Sequence, residues 1–246
     1  MMSWFRNRRL RRARPDRQAF AAVVADFPAL ARLNRTQRER LFERTTEILA
    51  DKDFQGAGGL ELSADDVLVV AVMAALPVLD LGVNCYRGFH TFIIYPAEFQ
   101  ADFEEVDEDG VVHRGRDLRA GEAWAWGPVV LGLDEVMASG RGQGYNVVVH
   151  ELAHQIDQLN GDMDGFPPLH SGMDAQRWAD VFNRSYERLC QELEDGLEPS
   201  LDPYAAESPA EFFAVASEFH FDVPEWLAEH HPELHEQLRC FYHPER

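Results

Sequence analysis

Residues 147–157 read VVVHELAHQID, and the fold turns on how this stretch is read. Val147, Val148, Val149, Leu152, Ala153 and Ile156 are apolar, which predicts a helix set against a core. On a helix, positions four apart differ by about 40° around the axis, so His150 and His154 project from one face, about one turn apart. Both can therefore reach one metal ion. Glu151 points about 100° away from His150. That offset lets its carboxylate reach a metal-activated water without taking a coordination position, which is what a general base needs.

The pattern is the HExxH signature of zinc peptidases: zinc polarises water and scissile carbonyl, and Glu151 moves the proton from the water to the leaving amine. With 10 histidines in the chain, chance would produce it in about 4% of such sequences, so its setting has to decide. The plain alternative is a core helix whose histidines are satisfied by protein partners. Two histidines and a glutamate in so apolar a helix are costly without partners, and a metal satisfies all of them.

A catalytic zinc takes three protein ligands and keeps a fourth position open for water. The longer HExxHxxGxxH pattern is excluded, because Asp157 and Asn160 stand where it needs Gly and His. Downstream, LDPYAAESPAEFFAVASEFHF (201–221) offers Glu207, Glu211 and Glu218. Ser208 suits a helix cap and Pro209 the first helical position, which makes Glu211 the third helical residue. In a capping box its carboxylate would bond back to the Ser208 backbone. Glu218 shares nearly the same face and could be a ligand or a partner of one. Asp157, three residues after His154, could orient a histidine ring, cap the helix or be a ligand itself. Spacing puts Glu211 only slightly ahead of Asp157.

The rest of the chain predicts an α+β fold. Apolar residues recur at helical spacing from Arg17 to Leu33, broken at Pro28, and TQRERLFERTTEILADKDF (36–54) follows an Asn34 cap. FQGAGGLEL (54–62) reads as a glycine-rich loop with no phosphate-binding ending. Ser63 caps a buried helix that ends near Pro77. RGFHTFIIYPAEF (87–99) and WAWGPVVLGL (124–133) read as strands, with DEDGVVHRG (107–115) as hairpin or loop. Helices are expected near 145–159, 173–194, 208–220 and 225–240.

Cys85, Cys190 and Cys240 lie far apart and form no CxxC, which points to a reducing compartment and away from a thiol zinc site. Neither a signal peptide nor a membrane span is expected, and the location expected is cytoplasmic. Residues 1–17 carry seven arginines against Asp16, a net of +6, which leaves −26 on the rest of a chain whose total is −20. Such an arm could touch anionic lipid or nucleic acid, but a loose terminus is the simpler reading. The acidic body would repel phosphate, so no direct nucleic-acid contact is expected.

VVVHELAHQIDQLNGD (147–162), followed by DPYAAESPAEFFAVASEFHF (202–221), resembles the Mlc titration factor A family of bacterial zinc peptidases. GPVVLGLDEV (127–136) and the helical N-terminal half share the resemblance, so it covers most of the chain. It implies one Zn2+ on His150, His154 and Glu211, with Glu151 as base, in a gluzincin-like site. The family's catalytic core is similar to that of anthrax lethal factor, where a tyrosine seven residues before the glutamate ligand assists the oxyanion; Tyr204 matches it here. A donor there suits the charge that develops on the carbonyl oxygen. Aminopeptidase-type activity on peptide or protein substrates is implied, as is binding of a transcriptional repressor. The expectation is a zincin-like domain over 17–246 behind a basic arm at 1–16. Its helical part covers about 17–80 and its catalytic part about 81–246. A small mixed β-sheet should lie beside the HExxH helix, with GPVVLGL as an edge along which substrate extends.

Overall fold

Helix starts follow the capping residues. The computed structural model describes residues 10, 13–97, 101–106, 112–117 and 127–244, with 101–106 and 112–117 as backbone only. Most of the basic arm expected at 1–16 and the segment 107–111 of the expected hairpin lie outside the described residues. The Asp16 carboxylate caps α1 (Arg17–Asp26) by accepting from the N–H groups of Gln18 and Ala19. Phe27 is extended ahead of Pro28, as the residue before a proline prefers, and this separates α2 (Pro28–Ala31) from α1. Asn34 with Gln37, and Ser63 with Asp66, form capping boxes for α3 (Arg35–Asp51) and α4 (Ala64–Ala75). Every residue of α4 from Leu68 to Ala75 is buried, which makes this helix the centre of the core.

The sheet departs from expectation. Strands β1 (Asp53–Gly56), β2 (Thr91–Tyr95) and β5 (Val129–Gly132) pair in the order β1-β2-β5, and both pairings are parallel. The sheet beside α6 is thus purely parallel, not mixed. Parallel neighbours need long crossovers, and α4 lies in the first of them. The antiparallel pair, β3 (Ala101–Val106) with β4 (Val112–Asp117), forms a separate two-stranded sheet. Strand β1 occupies part of what reads as a loop. Its four residues lack alternating burial, and only pairing with β2 makes them a strand.

After β5 come α5 (Leu133–Ala138), α6 (Val147–Asp157), α7 (Ala175–Glu194), α8 (Pro209–Asp222), α9 (Pro224–His230) and α10 (Pro232–Tyr242). The single helix expected over 225–240 is two helices. Pro232 opens the second, and its ring disfavours a helical residue before it; His231 accordingly has φ −136°. Helix α6 packs on α8 and touches α4 and β5. Leu152, Ala153 and Ile156 of α6 join Phe42, Met73, Phe92 and Phe213 in one hydrophobic core. Truncating Leu152 to alanine in such a setting costs about 2–5 kcal/mol.

Candidate metal centre

The start of α6 is fastened before the histidines appear. Gly142 and Gly144 hold φ of 84° and 79°, where glycine alone is comfortable. A Cβ at Gly144 would also come within 2.7 Å of the Phe219 ring. The loop so formed aims the N–H groups of Gly142, Gln143 and Gly144 at the Asp222 carboxylate, at 3.0, 2.8 and 2.7 Å. Asp222 ends α8 and is buried, so these charge-assisted bonds tie the start of α6 to the end of α8. The Asn146 side chain then caps α6, accepting from Val149 at 3.1 Å. Sequence reading missed Asp222. The glycines of ASGRGQGYN were the one available sign that something had to approach this backbone closely.

Glu218 joins that scaffold to the site. Its Oε2 accepts from the Asn146 N–H at 2.5 Å, and its Oε1 pairs with His150 Nδ1 at 2.8 Å. An ionised carboxylate only accepts, so Nδ1 carries a proton, and Nε2 of His150 is the nitrogen turned to Glu211 and His154. That Nε2 lies 3.0 Å from Glu211 Oε2 and 3.3 Å from His154 Nε2, and His154 Nε2 lies 3.4 Å from the same Glu211 oxygen. Three electron-rich atoms in mutual contact repel unless a proton or a cation sits among them. Glu211 Oε2 is buried, yet no hydrogen bond satisfies it.

The donor set fits a metal. Tetrahedral ligands about 2.0–2.1 Å from zinc stand about 3.3–3.4 Å from each other, close to the spacings found here, with a fourth position left for water or substrate. Electrostatics agree. Burial opposes a charged imidazole at His150, but the carboxylates of Glu211 and Glu218 outweigh it and hold its pKa well above the ordinary histidine value. Glu211, pushed up by burial, is held well below the ordinary carboxylate range by the two histidines. Both shifts express a site built for positive charge. Among the described residues this is the one group of three histidine, cysteine or acidic side chains that converges so closely.

The other residues singled out in the sequence sort themselves by position. Ser208 caps α8 by accepting from the Glu211 N–H at 3.2 Å, but the reciprocal capping-box bond is not made. The Glu211 side chain is turned to the histidines instead. Glu151 is half-buried, one position along α6 from His150, and its charge helps raise the His150 pKa. Tyr204 sits on a 3₁₀ turn, Pro203–Ala206, where the Asp202 carboxylate accepts from its N–H at 2.9 Å. Its ring centroid lies 6.0 Å from that of His150, and the residue is 43% exposed. Asp157 does not join the three converging side chains. It is fully buried, its Oδ2 accepts from the Gly165 N–H at 2.7 Å, and burial pushes its pKa up to about 7. Glu207 is exposed, and its N–H closes the turn on the Tyr204 carbonyl at 3.1 Å.

Two histidines from one helix and a glutamate from the helix packed on it place the chain among metallopeptidase-like proteins. The family model described as glucose-regulated metallo-peptidase M90 matches residues 1–243, and the chain belongs to that family. Mlc titration factor A of Klebsiella pneumoniae is 37% identical over 218 residues, which cover 88% of this chain and 82% of that protein. Mlc titration factor A of Serratia proteamaculans is 36% identical over 219 residues, 88% of this chain and 83% of the relative. An uncharacterized protein of Synechocystis is 34% identical over 238 residues, 93% of this chain and 85% of the relative. The resemblance carried by the two motif segments is thereby borne out. Among the described residues, no helix is long and apolar enough to cross a membrane.

Proposed function

We propose that the chain is a zinc-dependent peptidase that hydrolyses peptide bonds. The observation that carries this reading is the convergence of His150 Nε2, His154 Nε2 and Glu211 Oε2 on one point, with Glu151 one position along the same helix. Zinc held by these three side chains would supply Lewis-acid polarisation of a water and of the scissile carbonyl. Glu151 takes a proton from the water as the water oxygen adds to the carbonyl carbon, and then delivers it to the amine nitrogen as the C–N bond breaks and the carbonyl re-forms. Tyr204, whose ring lies near that of His150, donates its hydroxyl to the carbonyl oxygen as charge develops there. Glu218 holds the His150 ring in the tautomer that leaves Nε2 free for the metal. Among the described residues β5 pairs on one side only, with β2, which leaves it an edge to which substrate can add as a strand.

Aminopeptidase-type cleavage is the form of this activity implied by the resemblance, and the free cysteines suit a cytoplasmic location. The test is metal content and peptide hydrolysis of wild type and Glu151→Gln. The variant should keep its zinc and lose hydrolysis by about 100-fold or more, within the range assigned to a general base. Unchanged hydrolysis in the variant sinks the mechanism.

A second reading comes from the relatives' name, Mlc titration factor A, which speaks of titrating another protein. On it, this chain binds a transcriptional repressor and the metal serves structure or regulation. Capture of such a repressor by Glu151→Gln as well as by wild type would make binding a function separate from hydrolysis.

A further inference from the structure

We propose that the cavity between the glycine loop and the Pro199–Asp202 segment receives a bulky apolar side chain of the substrate, an aromatic one by preference, and excludes acidic ones. The inference deepens the peptidase reading and rests on it. The cavity measures about 410 Å³, within the size range of small-molecule sites and ample for an aromatic ring. Tyr145, Phe219 and Trp226 give it aromatic walls, and Leu201 and Val223 add aliphatic ones. Tyr145 and Trp226 remain 39% and 44% exposed, although each would gain by burial. Large rings left in water around a concavity mark a surface meant to be covered.

These walls are pre-set. The Trp226 Nε1–H donates to the Ser200 carbonyl at 3.1 Å, and its ring stacks on His230 with centroids 3.7 Å apart. Phe219 is wedged against Gly144, where no side chain larger than hydrogen fits. A wall that is already ordered loses little entropy when a ligand arrives. Asp202 is the one charged residue in the lining, and no cation accompanies it there. A carboxylate entering the cavity would be both desolvated and repelled.

The lining of the cavity is joined to the candidate metal centre along the chain. Asp202 lies two residues before Tyr204, whose ring neighbours His150. Tyr145 precedes Asn146, which shares the Glu218 carboxylate with His150, and Phe219 follows Glu218. Three walls are therefore chain neighbours of groups at His150. On this proposal, a peptide lying across the metal centre places a side chain next to its scissile bond in this cavity.

The test uses the full-length, zinc-loaded protein and a peptide series that differs only at the residues flanking the scissile bond: Phe, Ala or Glu. Wild type should favour Phe over Ala by about tenfold or more in kcat/KM, as a well-filled apolar pocket does, with Glu poorest. Val223→Phe, which fills the cavity, should erase the Phe preference while leaving the Ala peptide within about twofold, since its methyl group needs little of the pocket. A wild type without preference, or a preference untouched by Val223→Phe, overturns the proposal, as does an equal loss on Phe and Ala peptides. Binding is read separately from cleavage by titrating the Phe peptide into Glu151→Gln and following Trp226 fluorescence, with Trp226→Phe as the blank. A Trp226 response that Val223→Phe abolishes, together with a zinc-loaded wild type that hydrolyses none of the three peptides, supports the cavity and sinks the peptidase reading. Hydrolysis without side-chain preference and without a Trp226 response sinks the cavity and leaves the peptidase.

Discussion

His150 packs against α8 and His220 lies on it; both are largely buried, and their surroundings push them in opposite directions. At His150 each ring nitrogen meets a carboxylate, so the charged form is favoured in spite of burial. At His220 the neighbours are rings: Tyr242 stacked at 5.5 Å, His243 at 5.6 Å and His235 at 5.7 Å between centroids. The nearby carboxylate, Asp80, pairs with His243 instead. Burial, followed by His243 and His235, holds the His220 pKa well below the ordinary histidine value. Three histidines close together thus make a packed aromatic cluster in one place, while two histidines with a glutamate make a candidate metal centre in the other. What separates them is whether nitrogens converge on a shared point and whether a carboxylate stands there with them.

The sharpest way to break this contrast is to remove the carboxylate. Glu211→Gln keeps the shape but loses the charge, and should lower zinc affinity by more than about 100-fold, beyond the loss typical of an outer partner. Metal analysis after dialysis against a weak chelator reads this directly; full occupancy would mean that Glu211 is not a ligand. Glu218→Gln should weaken zinc by about 10–100-fold in a chelator competition, because the amide no longer fixes the His150 tautomer. An unchanged affinity would reduce Glu218 to an anchor for Asn146.

The smallest effect concerns the other cluster. An unfolded histidine titrates near about 6.5, and folded His220 titrates lower, so the unfolded state takes up more protons as pH falls. The stability tied to His220 is therefore complete above about pH 6.5, and it drains away below that until the folded group itself titrates. His220→Phe should lose less Tm than wild type between pH 7.5 and 5.5, by about 2–4 °C for each kcal/mol recovered. Asp157, raised to about 7, leans the other way over part of this range, but it is the same in both proteins. Equal acid sensitivity in the two would show that His220 carries no such penalty.

Legibility in the sequence followed how local each feature is. His150, Glu151 and His154 occupy one helix, so their spacing alone predicted shared reach. Asn34, Ser63 and Ser208 were legible as caps for the same reason. Glu211 is brought in by the packing of α8 on α6, and spacing puts it only slightly ahead of Asp157; the family resemblance is what singles it out. The grip of Asp222 on residues 142–144 spans about eighty positions and had no local sign beyond the glycines. Strand β1 and the parallel order of the sheet were hidden because partners, not propensity, make a four-residue strand. The break at Pro232 was in plain view, and reading 225–240 as one helix ignored a rule that the chain obeys.

Helix α8 works as a ruler. Glu211 near one end faces His150, Glu218 meets His150 and Asn146 about 10.5 Å further along, and Asp222 grips the glycine loop at the other end. One residue inserted between Phe212 and Ser217 would swing the latter two about 100° around the axis while leaving Glu211 in place. Any change of residue count between Glu211 and Asp222 therefore breaks the register of these three carboxylates.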